Sequence, residues 1–457
     1  MCFSEMHKRV TLICSLTVFL TAVITNLLLN YSHSDQTVID YQNRIELDSH
    51  RVLFSPDIHA GTRRDLAFSL YSLNQSIIFS SYKCSLSEYS LAHSMETSSE
   101  SIDAPFYPSI ITADSKTCHD TGFKQYDETA ARRSFEVFKR YSLSSFVDVV
   151  VCSFYPAECI NYVSTNKTIL FLPAHRFLLL LCSDQQIRSA IFWMFNSGLS
   201  SIHVMAMGRY DREYINYYTG LDVPFIYPSS FLEYSAPIEQ DLIIDKVLIA
   251  PFHKVSEYYA NVLSSLASQQ HYNISFTTIK RHFNDSFNLC DLNHFSAVVV
   301  FPYAVLSYYL CDLIASSIPM LVPSRHFTAL NMGLLSDYRN QDRYYCNGTA
   351  SMPNRSSNSR HILSPEANTK ESRYYWSQFA SFYTPCTVAF DRMEDIPKLL
   401  FNLNRSDIYQ CNLHYIEHMK RHNTREWKRF LRRVHHRTTA NDYSDVLKGL
   451  NRNATYQ

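Results

Sequence analysis

The sequence predicts an α/β protein of two Rossmann-like, doubly wound domains behind an N-terminal transmembrane helix. Three observations lead there. An uncharged, mostly apolar run of twenty residues stands near the start of the 457-residue chain. Beyond residue 145, short β-branched runs alternate with amphipathic stretches at the spacing of strand–helix–strand units, which implies parallel sheets. That rhythm stops at a proline-punctuated link and then begins again. The roughly 425 residues beyond the apolar run also exceed what one core accommodates, since cores stop growing near 250–300 residues.

The first element is VTLICSLTVFLTAVITNLLL (10–29). A helix of about 20 such residues crosses a ~30 Å hydrocarbon layer. Lys8 and Arg9 flank its N-terminal side and no Lys or Arg follows closely, so the positive-inside rule keeps residues 1–9 in the cytosol and sends the rest across. A cleaved signal peptide is the alternative, and it delivers the same body to the lumen. Its apolar core is usually about 7–15 residues with a small-x-small cleavage site, whereas this run is longer and is followed by Asn30 and Tyr31. Sequons at Asn74, Asn166, Asn273, Asn284, Asn347, Asn354, Asn404 and Asn453 fit a glycosylated luminal body. Ten of the 12 cysteines lie beyond the apolar run and none forms a C-x-x-C pair, which favours disulfides over zinc.

Composition excludes several classes. With 42 basic and 42 acidic residues there is no global field to hold nucleic acid. Only 8 glycines, beside 32 tyrosines, weaken any reading that needs a glycine-rich phosphate loop.

Residues 30–60 read as a polar stem, and the Ser-rich stretch near 94–101 as loop. In the N-terminal domain (61–235), DETAARRSFEVFKRY (127–141) has helical spacing. FVDVVVCSF (146–154), KTILFLP (167–173) and SIHVMAM (201–207) read as strands, with helices at 185–196 and 212–218. Pro224, Pro228 and Pro237 mark the link. The C-terminal domain (236–457) repeats the pattern: strands at 246–252, 273–279, 296–302 and 319–324, helices at 256–270 and 308–316. A polar insertion at 339–370 is expected to be exposed, and helices at 396–403, 412–421 and 425–436 close the chain. Ligands of such sheets sit beyond the carboxyl ends of the strands, here in the cleft between domains.

Three strings carry a resemblance: CSFYPAECINYVSTNKTILFLPAHRF (152–177), GRYDREYINYYTGLDVPFIYPSS (208–230) and AVVVFPYAVLSYYLCDLIASSIPMLVPS (297–324). With Tyr375-Trp376 and Phe382-Tyr383, they resemble a little-characterised family of luminal, type II membrane, glycosyltransferase-like proteins of GT-B fold. The resemblance spans roughly residues 145–400. It implies transfer of a sugar from a nucleotide-sugar donor to a glycan or glycoprotein acceptor at the Golgi membrane, with the ER or the cell surface as other addresses. A catalytically inactive binding or scaffold protein of the same fold is the alternative, and a receptor ectodomain is a weaker one.

The resemblance to GT-B enzymes implies that Asp312 binds the donor's ribose hydroxyls, since a carboxylate accepts two charge-assisted hydrogen bonds at once. Lys254, after the first strand of the second domain, and Arg325, past the last strand of that unit, are candidate phosphate partners. Tyr303 is a candidate stacking residue. On the acceptor side, His175 is a candidate base with Arg176 beside it; capping of a strand end is the competing role. Asp211 is a candidate base, a helix N-cap, or both. One acid stands where many such enzymes carry two, and Ser316 and Ser317 replace expected glycines. No Asp-x-Asp occurs, so no metal site and no cofactor are expected, and cationic groups and helix N-termini would stabilise the leaving diphosphate.

Overall fold

The computed structural model describes residues 52–434, leaving out 57–64, 82–108, 113–131, 140–146, 175–184, 229–245, 251–253, 284–291, 303–309, 332–352 and isolated single or paired positions. The transmembrane expectation for residues 10–29 lies outside the described residues. Among those described, no helix is long and apolar enough to cross a membrane.

Two parallel sheets form the body. The first has six strands: β1 (Val52–Ser55), β2 (Ser76–Ser81), β3 (Ser109–Thr112), β4 (Val149–Cys152), β5 (Thr168–Phe171) and β6 (Ile202–Val204), in the order β3-β2-β1-β4-β5-β6. All of its pairings are parallel. After Met205 the chain leaves this sheet, and β7 (Ala206–Met207) pairs in parallel with β8 (Phe225–Ile226). The second sheet contains β9 (Lys246–Ala250), β10 (Ser275–Thr278), β11 (Ala297–Val300), β12 (Met320–Pro323) and β13 (Val388–Phe390), ordered β10-β9-β11-β12-β13. Both are doubly wound orders that reverse direction beside the unit's first strand, the switch point where such sheets open a crevice.

Both faces of each sheet are covered, which explains the unbroken apolar strands. Side chains alternate between faces along a strand. Thus Phe54, Val150, Cys152, Ile169 and Phe171 meet α1 (Gln185–Asn196) and α2 (Arg209–Thr219) on one side of the first sheet. Leu53, Val149, Val151 and Leu170 face Leu66, Leu70, Trp427 and Phe430 on the other. In the second sheet, Val247, Ile249, Val299 and Leu321 pack with α3 (Lys254–Gln269) on one side. Leu248, Val298, Val300 and Val322 pack with Phe382, Ile416 and Met419 on the other. The helices that complete the second unit are α4 (Arg325–Asn331), α5 (Lys370–Ser377), α6 (Ile396–Phe401) and α7 (Arg405–Val434).

Four expectations change, one of them only in part. Val52–Ser55, read as the end of a stem, is an inner strand of the first sheet; four residues are too few to show a period. Residues 353–367 of the expected insertion are exposed or half-buried, as expected, except Ser359 and His361, which are buried. The last two helices expected are one, α7, of 30 residues. At 1.5 Å per residue it runs about 45 Å, far enough to serve both sheets. Finally, the domains interleave: Trp376, Phe379, Trp427 and Phe430 come from the C-terminal half yet complete the core of the first unit.

Two disulfides are described, Cys152–Cys159 and Cys386–Cys411. Of the glycosylation asparagines, the described Asn166, Asn273, Asn354 and Asn404 are all exposed.

Candidate functional site

The most developed site grows around α2. Its N-cap is Gly208, at φ 114°, with no side chain bonded to the first turn; its C-cap is Gly220, left-handed at φ 77°. Asp211 is therefore not the cap. It lies inside the first turn and is fully buried. Nine of the eleven α2 residues are buried, because the first sheet covers one side and residues 353–379 cover another.

That second cover is polar at its centre. Glu213 Oε2 accepts from His361 Nε2 (2.8 Å) and from Arg360 Nε (2.8 Å) and Nη2 (2.6 Å). The other ring nitrogen of His361 meets the Tyr375 hydroxyl at 2.7 Å. Arg360 and Arg212 both donate to Asp222, at 3.1 and 2.8 Å. The Arg360 amide donates to the Asn216 side chain (3.0 Å), and the Tyr214 hydroxyl donates to Glu366 (2.9 Å). Burial by itself would raise the Glu213 carboxyl. The bonds from His361 and Arg360, with the charges of Arg360 and Arg212, outweigh it and hold the carboxyl below its usual value. Two of the strings quoted from the sequence thus meet in space: Tyr210 lies 5.5 Å and Tyr217 6.1 Å from the Trp376 ring.

On the outer side of this contact a cavity of about 810 Å³ opens between the two units. The first unit contributes Gly208 and Arg209, directly past the carboxyl end of β7. Tyr227 and Pro228 come from the link, and Phe379, Tyr383 and the Cys386–Cys411 disulfide from the second unit. His414, Tyr415 and His418 of α7 close it. The Arg209 guanidinium sits 5.4 Å from the Phe379 ring centre. His414 Nδ1 donates to the Gln410 carbonyl at 2.8 Å, which leaves its Nε2 for a ligand. His418 stacks on Tyr415. Burial raises the Tyr227 phenol, with Arg209 opposing. Burial also pushes Tyr383 up to about 12; its hydroxyl is 3.0 Å from that of Thr328. Both remain neutral hydrogen-bonding phenols at working pH.

The cavity takes residues from both units, but its described lining includes none from the carboxyl ends of the strands of the two large sheets. Asp211 and Arg325 do not line this cavity. Arg325 opens α4 just beyond β12, where its guanidinium donates to the Tyr374 carbonyl (3.1 Å) and lies 4.4 Å from the Tyr374 ring centre. Lys254 is the first residue of α3, next after the strand β9 region. His175, Arg176, Tyr303 and Asp312 lie outside the described residues. Sequence reasoning passed over Glu213, Arg360, His361 and Arg209. It also passed over His414 and His418, whose i, i+4 spacing on a helix was a usable signal. Among the described residues no cluster of three His, Cys, Asp or Glu is placed to hold a metal ion.

No known protein family matches the chain. No curated protein matches it either. Among solved structures it is similar to LpCGTa in complex with UDP, at 10% identity and a TM-score of 0.39 over 84% of this chain and 99% of that one. UGT89C1 of Arabidopsis thaliana, complexed with UDP, aligns at 12% identity and a TM-score of 0.39, covering 83% and 98%. The glycosyltransferase SnogD from Streptomyces nogalater aligns at 12% identity and a TM-score of 0.36, covering 78% and 99%.

Proposed function

We propose that the protein is a luminal glycosyltransferase, transferring a sugar from a nucleotide-sugar donor to a glycan or glycoprotein without a metal ion. The observation that carries this reading is the pairing of two doubly wound parallel sheets with a cavity of about 810 Å³ lined by residues from both units. Sheets of this kind place ligands beyond their strand ends at a switch point, and a two-sheet cleft brings a donor and an acceptor together. Residues 10–29 would anchor it as a single-pass type II protein of the Golgi membrane. The exposure of all four described sequon asparagines and the two disulfides support that address. On the donor side we retain Asp312, Lys254, Arg325 and Tyr303, and on the acceptor side His175, Arg176 and Asp211. His414 and His418 join the bases available to an acceptor hydroxyl.

A second reading, a sugar-binding protein of the same fold without catalysis, draws on one observation: the described lining of the cavity includes no Asp or Glu. Thermal unfolding of the full-length, detergent-solubilised protein with UDP, GDP or CMP separates the two. A donor-using enzyme gains about 2.7 kcal/mol from a nucleotide at a hundred times its Kd, a clear rise in midpoint. No rise with any nucleotide removes the transferase reading.

A further inference from the structure

We infer that the cavity between the two units is a subsite for a singly charged, carboxylate-bearing sugar, anchored by Arg209. The inference rests on reading the cleft as one that takes glycans, and it holds whether or not transfer follows.

Charge is the first argument. Arg209 is the one permanently charged residue of the described lining, and no carboxylate accompanies it. Among the described residues it forms no ion pair; its guanidinium lies by the Phe379 ring and its charge acts on the Tyr227 phenol. The acid one turn on along the helix, Glu213, is taken by Arg360 and His361. A guanidinium left on a cavity wall invites an anion with two coplanar oxygens, which a carboxylate supplies. A single permanent cation also sets the ligand's charge. A diphosphate carries at least two negative charges, and the described wall would leave one of them uncompensated.

The wall around Arg209 provides the second argument. Tyr227, Tyr383 and Tyr415 line the wall with rings of the kind that pack against the C–H faces of pyranose rings, and the Tyr227 hydroxyl and His414 Nε2 can bond sugar hydroxyls. A volume of about 810 Å³ leaves room for further residues of a glycan.

The start of α2 adds to the same field. No side chain caps it, and a Cβ built on Gly208 would meet nothing within 4 Å. Arg209 is the helix's first residue, so the positive end of the helix and the guanidinium charge stand close together.

Isothermal titration of the full-length, detergent-solubilised protein tests this with four probes: N-acetylneuraminic acid, methyl β-D-glucuronide, the neutral methyl β-D-glucoside and inorganic pyrophosphate. At least one acid should bind about tenfold or more tightly than the neutral glycoside, the value of a charge-assisted contact. Arg209→Gln should erase that preference, and Arg209→Lys, which keeps the charge but not the fork, should retain only part of it. Circular dichroism confirms that both variants fold, as an exposed position allows. The inference is overturned if the neutral glycoside binds as well as the acids, if Arg209→Gln weakens pyrophosphate more than it weakens the acids, if Arg209→Gln keeps the preference, or if no probe binds at millimolar concentration. The nucleotide shift is a separate readout. Its absence removes the transferase reading and leaves acid selectivity standing, while loss of acid selectivity with the shift intact removes this inference alone.

Discussion

At the scale of a residue, Glu213 is the acceptor at the centre of the described site. Its carboxylate satisfies His361 and Arg360 together, and the Tyr375 hydroxyl completes the chain through the imidazole. The geometry assigns protons: an ionised carboxylate takes the Nε2 proton of His361, which turns Nδ1 into the acceptor of the Tyr375 hydroxyl. Glu213→Gln keeps the shape and removes the charge, leaving the His361 N–H a neutral acceptor and Arg360 only its more exposed partner, Asp222. Breaking a buried pair from one side costs about 3–5 kcal/mol, and the 38% exposure of Arg360 reduces this, so a loss of about 2–3 kcal/mol is expected. Urea unfolding checks it: the midpoint should fall with an unchanged slope. A midpoint equal to that of the parent would mean the carboxylate adds nothing to the fold.

At the scale of the element, residues 353–367 act as a strap across α2, and Gly220 sets how closely it lies. Gly220 is left-handed, and a Cβ there would stand 2.7 Å from the Asn358 Cβ and 2.8 Å from the Ser356 hydroxyl. Gly220→Ala therefore meets both an unfavourable backbone and a collision, and should cost about 2 kcal/mol and speed proteolysis within the strap. Gly198→Ala, at a similar positive φ of 64° but with nothing within 4 Å of the new Cβ, lacks the collision and should cost less; equal losses would show that the strap does not press on the helix end. None of this was legible in a polar, sequon-bearing stretch, because its order comes from bonds to a helix more than a hundred residues away. What the sequence showed clearly were the strands buried on both faces, β4, β5, β9, β11 and β12, since double coverage demands unbroken apolar runs. Short strands with serines, such as Val52–Ser55 and Ser109–Thr112, carry no such run. The same limit applied to the site. Asp211 drew notice as the first acid after a strand, whereas Glu213, about 200° further round the helix, faces the strap.

At the scale of the whole molecule, α7 joins the two units, and histidines set the conditions under which it does so. Ile416 and Met419 pack on the second sheet, Trp427 and Phe430 on the first. Between them Asn423 bonds both the amide and the carbonyl of Tyr227, each at 2.8 Å. His422 donates Nε2–H to the Phe225 carbonyl (2.8 Å) and accepts from Arg425 at Nδ1 (3.0 Å), an arrangement that only the neutral ring can make. Burial lowers its pKa first of all, and Arg425 and His418 lower it further against the opposing pull of the Phe225 carbonyl and Glu426. His203, on the first sheet against Phe430, is lowered by burial and by Arg433, with the Ser200 carbonyl opposing. Both folded values lie below the unfolded one, so folding favours the neutral rings. Their contribution is whole above the unfolded value of about 6.5, and it declines as pH falls from there through the folded values. Stability should thus drop between about pH 7 and 5.5, with the contact between α7 and the first unit opening before either sheet unfolds. Hydrogen exchange of the amides in the C-terminal half of α7 at the two pH values measures it directly. His422→Gln, whose amide can make both bonds without titrating, should flatten the dependence. Equal protection at both pH values in the parent protein would show that the helix docks independently of these two rings.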